Sequence, residues 1–100
     1  MSERRIIRIV VRGEVQGVGF RAWAQHQGEL HGLEGWVRNR RDGTVEAVLA
    51  GAPDAVEVML KACRQGPRGS AVEAVEVRDD DGRALGERGG AHGFAVLTTA

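Results

Sequence analysis

A glycine-rich stretch near the amino terminus has the residue types of an anion-binding loop. Residues 13 to 20 read GEVQGVGF, and Arg21 follows directly. Glycines at 13, 17 and 19 permit backbone conformations that turn successive N–H groups inward, and such a nest attracts anions. Arg21 adds a guanidinium that can contact two phosphate oxygens at once. The Gly-Lys-Ser/Thr of a Walker loop and the glycine spacing of dinucleotide-binding proteins are both absent, so a solvated glycine-rich turn stays an open alternative.

Asn39 is the second residue whose type and position suit phosphate chemistry. Its amide offers a donor and an acceptor, so it could hold a water molecule against a bound phosphoryl group. It directly precedes the sequence Arg40-Arg41-Asp42-Gly43, and Asp-Gly between two strand-like runs indicates a hairpin turn. An asparagine at this position is also a common strand-end or turn residue.

Hydrophobic periodicity predicts the strands and helices that would position these residues. The first helix has a partial apolar stripe of Phe20, Trp23, Ala24 and Leu30. The second has Val56, Met59, Leu60 and Cys63 at helical spacing, begins at Pro53 and is ended by Gly66-Pro67. We predict strands at 6–12, 34–40, 44–50 and 71–78, helices at 21–31 and 53–65, a polar loop over 79–93, and a short edge strand at 94–98.

This order of elements predicts an α+β fold in one domain covering residues 1–100. The pattern is the ferredoxin-like βαββαβ sandwich, an antiparallel sheet of four to five strands with two helices on one face. In that topology the first two strands run parallel with the third between them, so their carboxyl ends share one edge of the sheet. The loop after Arg12 and the residues near Asn39 should therefore lie roughly 10 Å apart.

Two longer motifs resemble the signatures of the acylphosphatase family. Residues 13–21, GEVQGVGFR, are similar to G-x-V-Q-G-V-x-F-R, and residues 35–46, GWVRNRRDGTVE, are similar to G-W-V-x-N-x-x-D-G-x-V-E. Gly66-Pro67 and the following Val-Glu-Ala-Val-Glu strand also resemble the usual ending of the family. The resemblance covers residues 6–78, and two motifs in this order are specific. Gly28 and His31 depart from the alanine and leucine that are common in the family, which would weaken the first helix and its packing.

The resemblance implies a metal-independent hydrolase that cleaves acyl phosphates to a carboxylate and inorganic phosphate. Arg21 and Asn39 would be its catalytic residues, with Asn39 aligning the attacking water. The backbone amides of residues 16–21 would bind the phosphoryl group together with the Arg21 guanidinium. These substrate-binding residues are Gln16, Gly17, Val18, Gly19, Phe20 and Arg21. We expect no cofactor and no metal.

The charge balance and the lengths of the apolar runs indicate which partners and which location to expect. The 14 basic residues equal the 14 acidic ones in number, which argues against a protein that binds nucleic acid through its overall charge. The amino terminus lacks the long apolar core of a signal peptide, and no apolar run is long enough to cross a bilayer. We therefore expect a cytoplasmic monomer that binds a small acyl phosphate and neither nucleic acid nor membrane.

The histidines and the cysteine do not indicate a metal site. His26, His31 and His92 lack metal-ligand spacing, and Cys63 fits a core position.

The sequence leaves several alternatives open. An RNA-binding domain of the same architecture would need an aromatic residue in the first strand, and none is present. A domain that handles carbamoyl phosphate, like that of hydrogenase-maturing carbamoyltransferases, or a non-catalytic phosphate sensor would use nearly the same residues. The arginines at 38, 40 and 41 could collect anionic substrate or simply face solvent. The sequence also does not specify the acyl group, nor whether the segment from Asp79 onward covers the site.

Overall fold

The computed structural model describes residues 3–89 and 92–100. Five strands, two α-helices and one 3₁₀ helix make up this part of the chain. In chain order they are β1 (Arg5–Glu14), α1 (Phe20–Leu30), β2 (Glu34–Asn39), β3 (Val45–Gly51), α2 (Pro53–Gln65), β4 (Ala71–Asp79), the 3₁₀ helix (Arg83–Arg88) and β5 (Phe94–Val96).

The strands form one sheet in the order β4-β1-β3-β2-β5. Because β1 and β2 each pair antiparallel with β3, they run parallel to each other and end at the same edge. This confirms the ferredoxin-like fold and the predicted meeting of the glycine-rich loop with the end of β2. The fifth strand pairs parallel with β2, so the sheet is mixed where a wholly antiparallel one was predicted.

The hydrophobic core lies between the sheet and the two α-helices. Ile7, Ile9 and Val11 of β1 are fully buried in it, as their alternation predicts. Helix α2 adds the predicted stripe of Val56, Met59, Leu60 and Cys63. Burial raises the pKa of the Cys63 thiol to about 12, because an apolar environment disfavours the thiolate.

Helix α1 buries a different stripe from the one predicted. Phe20, Ala24 and Gly28 face the core, whereas Leu30 is 67% exposed. Leu30 comes two residues after Gly28, which is about 200° around the helix, so both cannot face the sheet. Gly28 lies against the ring of Phe94, and a Cβ there would stand 2.5 Å from Phe94 Cδ2.

The segment predicted as a loop over 79–93 contains the 3₁₀ helix. The carboxylates of Asp80 and Asp81 accept hydrogen bonds from the N–H groups of Gly82 and Arg83, at 2.8 and 3.0 Å. Such Asx turns start a tight helical turn, and Gly82 supplies the positive φ that precedes it. Residues 90 and 91 of the predicted loop lie outside the described residues.

The 3₁₀ helix packs on the face of the sheet opposite the two α-helices. Trp36 is fully buried beneath it and donates its indole N–H to the carbonyl oxygen of Ala84 at 2.6 Å. Arg38 bonds to Glu87 at 3.2 Å on the same face. The described part of this segment therefore covers the back of the sheet. Among the described helices, none has the length and apolar content to span a membrane.

Candidate active site

The turn between β1 and α1 leaves a row of backbone N–H groups without protein partners. Gly17 and Gly19 have φ values of +75° and +81°, which glycine adopts at little cost. Within residues 3–89 and 92–100, no hydrogen bond uses the backbone N–H of residues 16–22. These donors are free to bind an anion.

Helix α1 begins inside this turn and adds its amino-terminal dipole. Its first helical bond runs from the Trp23 N–H to the Gly19 carbonyl at 3.0 Å, and no side chain caps the end. The N–H groups of Phe20, Arg21 and Ala22 therefore have no intrahelical acceptor. A helix amino terminus with free N–H groups favours a bound anion.

The side chain of Gln16 joins this turn to the β2–β3 hairpin. Its amide Nε2 donates to the carbonyl oxygens of Arg40 and Thr44, at 2.7 and 2.8 Å. The hairpin is itself held by Asp42, which accepts bonds from the Thr44 hydroxyl and N–H at 2.6 and 3.0 Å. Those bonds hold the pKa of the Asp42 carboxyl below its usual value. The result is a fixed spatial relation between the glycine-rich turn and Asn39.

One pocket of about 330 Å³ opens between the turn, α1 and the edge of the sheet. Arg21 and Asn39, the two predicted catalytic residues, both line it. Of the predicted substrate-binding residues, Gly17, Gly19 and Phe20 also line it, whereas Gln16 and Val18 do not: Val18 packs on the core. The complete lining is Val15, Gly17, Gly19, Phe20, Arg21, Ala22, Gln25, Asn39 and Val96.

Four of these lining residues were not singled out in the sequence. Ala22 and Gln25 follow Arg21 on α1, and Gln25 stands at i+4, a spacing that places it on the same helix face. No spacing relative to Arg21 or Asn39 pointed to Val15 or Val96 as pocket residues. Val96 reaches the pocket only because β5 joins the sheet beside β2.

The arginines near the hairpin are not part of this pocket. Arg38 donates to the buried carboxylate of Glu46 at 2.8 Å and stacks on Trp36, with its guanidinium carbon 4.6 Å from the ring centroid. Arg8 also bonds Glu46, and Arg40 lies 3.8 Å from it. Burial opposes ionisation of Glu46, but the hydrogen bonds from Arg38 and Arg8 prevail and hold its pKa below the usual value. The side chains of Arg38 and Arg40 thus bind a carboxylate on the opposite face of the sheet.

A second depression of about 240 Å³ lies on that opposite face. Arg8, Arg12, Arg40 and Arg78 line it together with Asp42 and Glu76. Ion pairs of Arg12 with Glu76 and of Arg8 with Glu46 offset much of its positive charge.

Histidine and cysteine side chains stand apart from the pocket. In the part of the chain that the structure describes, no group of three or more His, Cys, Asp or Glu residues could hold a metal ion. His31 bonds through Nδ1 to the carbonyl oxygen of Gln27 at 2.8 Å, at the end of α1.

The sequence model of the acylphosphatase family matches residues 7–95, which include every polar residue of the pocket. The chain belongs to the acylphosphatase family. A relative named acylphosphatase from Bradyrhizobium diazoefficiens is 49% identical over 96 residues, covering 96% of this chain and 97% of that protein. One from Synechococcus sp. is 52% identical over 85 residues, covering 85% of this chain and 90% of that protein.

Solved structures of acylphosphatases share the fold. The acylphosphatase from Bacillus subtilis superposes with a TM-score of 0.81 at 34% identity, covering 95% of this chain and 99% of that chain. Full-length HypF superposes with a TM-score of 0.83 at 20% identity, over 99% of this chain and 12% of the HypF chain. At that identity the likeness to HypF concerns the fold alone.

The aromatic residues of this acylphosphatase-family chain do not form a base-stacking platform within the described residues. Trp36 is fully buried under the 3₁₀ helix, and Phe20 and Phe94 are 2% and 3% exposed. Trp23 packs edge-on against Phe20, with ring centroids 5.3 Å apart. RNA-binding domains of similar architecture hold bases on exposed aromatic side chains of the sheet, and the described surface offers none there.

Proposed function

We propose that this chain hydrolyses acyl phosphates to a carboxylate and inorganic phosphate. The observation that carries the proposal is the convergence of Arg21, the free N–H groups at the start of α1 and Asn39 on one pocket. The name acylphosphatase, which the close relatives carry, supports the same reaction.

The glycine-rich turn would bind the phosphoryl group. The backbone amides of residues 16–21 present donors to its oxygens, and the Arg21 guanidinium adds a charged, bidentate contact. Charge on the equatorial oxygens is stabilised by these donors as the transition state forms. Because the turn is tied to the hairpin through Gln16, the donors are in place before substrate arrives.

Asn39 would hold the attacking water in line with the leaving carboxylate. The water oxygen bonds to phosphorus while the bond from phosphorus to the acyl oxygen breaks, so the bonding pair leaves with the carboxylate. That leaving group is a weak base and needs no general acid. The water's proton passes to an oxygen of the substrate's own phosphate, so no protein base is required. Positioning of the two reactants therefore supplies much of the rate enhancement.

We assign these steps to side chains and backbone amides alone, and therefore expect turnover without metal. We also propose that the chain is a monomer and that it acts in the cytoplasm. Residues 1–100 would form one domain. A small acyl phosphate is its expected partner.

Hydrolysis of acetyl phosphate in EDTA tests the proposal. We expect turnover by the native chain and losses of roughly 10²-fold or more in Arg21→Ala and Asn39→Ala, each with a native circular dichroism spectrum. Arg21→Ala should also weaken inhibition by inorganic phosphate, whereas Asn39→Ala should lower kcat and largely keep that inhibition.

Matched controls are available on the surface. Arg41 and Gln65 are exposed and lie outside the pocket, so Arg41→Ala and Gln65→Ala should keep native kinetics. A folded native chain that binds inorganic phosphate but turns over neither acetyl nor carbamoyl phosphate would contradict the proposal and indicate a phosphate sensor.

A further inference from the structure

The pocket continues beyond the phosphate-binding turn toward β5. Its far wall consists of Ala22 and Gln25 from α1 and Val96 from β5. No carboxylate lines the pocket, and Arg21 is the only charged side chain among its lining residues. The wall opposite the phosphoryl position is therefore neutral.

The register of the sheet places Val96 close to Asn39. Val96 pairs with Val37, two residues before Asn39, and the Leu97 N–H donates to the Val37 carbonyl at 2.9 Å. Side chains alternate along strands, so Val37, Asn39 and Val96 share the helix-covered side of the sheet. The Cα atoms of Val96 and Asn39 are therefore roughly 8 Å apart, because one strand spacing and the rise of two residues separate them. An acyl group attached to a phosphoryl group beside Asn39 can span that distance.

A hydrogen bond holds the wall together. Gln25 Nε2 donates to the carbonyl oxygen of Phe94 at 3.2 Å, which joins α1 to β5. Phe94 is 3% exposed and packs on Gly28, so its carbonyl is held in place. Val96, two residues on, is 40% exposed and presents an apolar surface.

We propose that Val96, with Ala22 and Gln25, forms the subsite for the acyl group and selects acyl phosphates whose acyl part is uncharged and apolar. The inference rests on the proposed function. An apolar acyl group would bury the exposed face of Val96. An acyl group with its own carboxylate would meet no second cation among the lining residues, because Arg21 is committed to the phosphoryl group.

The test compares benzoyl phosphate with 4-carboxybenzoyl phosphate, which carries one additional carboxylate on the ring. For the native chain we expect kcat/KM to favour benzoyl phosphate by roughly tenfold. Val96→Lys should reduce this preference to about unity or reverse it, because the lysine provides a partner for the second carboxylate. Inhibition by inorganic phosphate should stay within about twofold of native, because the turn is untouched.

Val58→Lys is the matched control. Val58 is 49% exposed on α2 and does not line the pocket, so this variant adds the same charge elsewhere and should keep the native preference. Val96→Thr, nearly isosteric, keeps the test valid if Val96→Lys folds poorly. It should lower kcat/KM for benzoyl phosphate several-fold while phosphate inhibition is kept.

A native preference for 4-carboxybenzoyl phosphate would overturn the inference. So would an unchanged preference in Val96→Lys together with an unchanged kcat/KM for benzoyl phosphate in Val96→Thr. In either case hydrolysis itself would remain, so the proposed function would stand. Absence of hydrolysis of both compounds and of acetyl phosphate would instead contradict the proposed function, and the acyl subsite with it.

Discussion

At the scale of single residues, the arginines divide between the two faces of the sheet. Arg21 opens into a pocket whose other lining residues are uncharged. Arg8 and Arg38 instead donate hydrogen bonds to Glu46, whose side chain is fully buried. Arg21, Arg38 and Glu46 all lie within the two motifs that the sequence analysis identified, but only the strand register places Arg38 and Glu46 on the face opposite the pocket.

The Glu46 cluster gives a pH-dependent prediction. Glu46→Gln should destabilise the chain by on the order of 3 kcal/mol at neutral pH, because Arg8, Arg38 and Arg40 lose their buried counter-charge. The native Glu46 pKa lies below its ordinary value of 4.5, so the ion pairs contribute fully above that value and are lost as the pH falls through the lower native pKa. The difference between native and variant, measured by urea unfolding, should therefore shrink in acid.

The exposed pair of Arg12 and Glu76 is the control for this prediction. Both side chains are about half exposed, so Glu76→Gln should cost less than about 1 kcal/mol. A Glu46→Gln penalty that stays constant from neutral pH to well below pH 4.5 would show that the carboxylate charge is not what stabilises the native state.

At the scale of elements, the contact between α1 and β5 explains the glycine in the middle of the helix. Gly28 has no side chain, and the Phe94 ring fills the space that a Cβ would take. Helix propensity alone would favour alanine there by about 1 kcal/mol. The packing of Phe94 opposes that gain, because a buried ring at 2.5 Å from the new Cβ must shift.

We therefore expect Gly28→Ala to destabilise the chain by about 1–2 kcal/mol in thermal or urea unfolding. In a Phe94→Leu background the smaller side chain leaves room, and the same substitution should become neutral or stabilising. A stabilising effect of Gly28→Ala in the native background would show that the ring yields easily and that helix propensity dominates.

Most element positions follow from the sequence because periodicity and turn residues agree. The stripe of α2 and the Asp42-Gly43 hairpin were both predicted, and the structure confirms them. Leu30 was assigned wrongly because an apolar residue in the last turn satisfies a partial pattern even when it faces solvent. The 3₁₀ helix was missed because Asx turns by Asp80 and Asp81, and not an apolar repeat, start it.

At the scale of the whole molecule, the two faces of the sheet carry separate layers. The α-helices and the pocket lie on one face, and the 3₁₀ helix covers the other over Trp36. The chain leaves β4 at one edge of the sheet and returns as β5 at the other, parallel to β2. Local sequence does not encode which strand a three-residue segment will join, so the place of Val96 in the pocket could not be predicted.

This separation predicts a stability effect without a kinetic one. Trp36→Phe removes the indole N–H bond to the Ala84 carbonyl and some buried volume, which should cost about 1–3 kcal/mol. Because the contact lies on the face opposite the pocket, kcat and KM for acetyl phosphate should stay near native. Arg83 lies on the same 3₁₀ helix, and its side chain is 92% exposed. Arg83→Ala should therefore change neither the free energy of unfolding nor the kinetics. A folded Trp36→Phe with greatly reduced kcat would show that this layer acts on the site.

The central claim is that water held at Asn39 attacks phosphorus in a substrate bound at Arg21. The most direct measurement is hydrolysis of benzoyl phosphate by the native chain in oxygen-18-labelled water containing EDTA, with both products analysed by mass spectrometry. We predict turnover well above the buffer rate, with one labelled oxygen in each inorganic phosphate and none in benzoate. Label in the benzoate would contradict the claim by placing the attack at the carbonyl carbon, and so would a folded chain with no turnover.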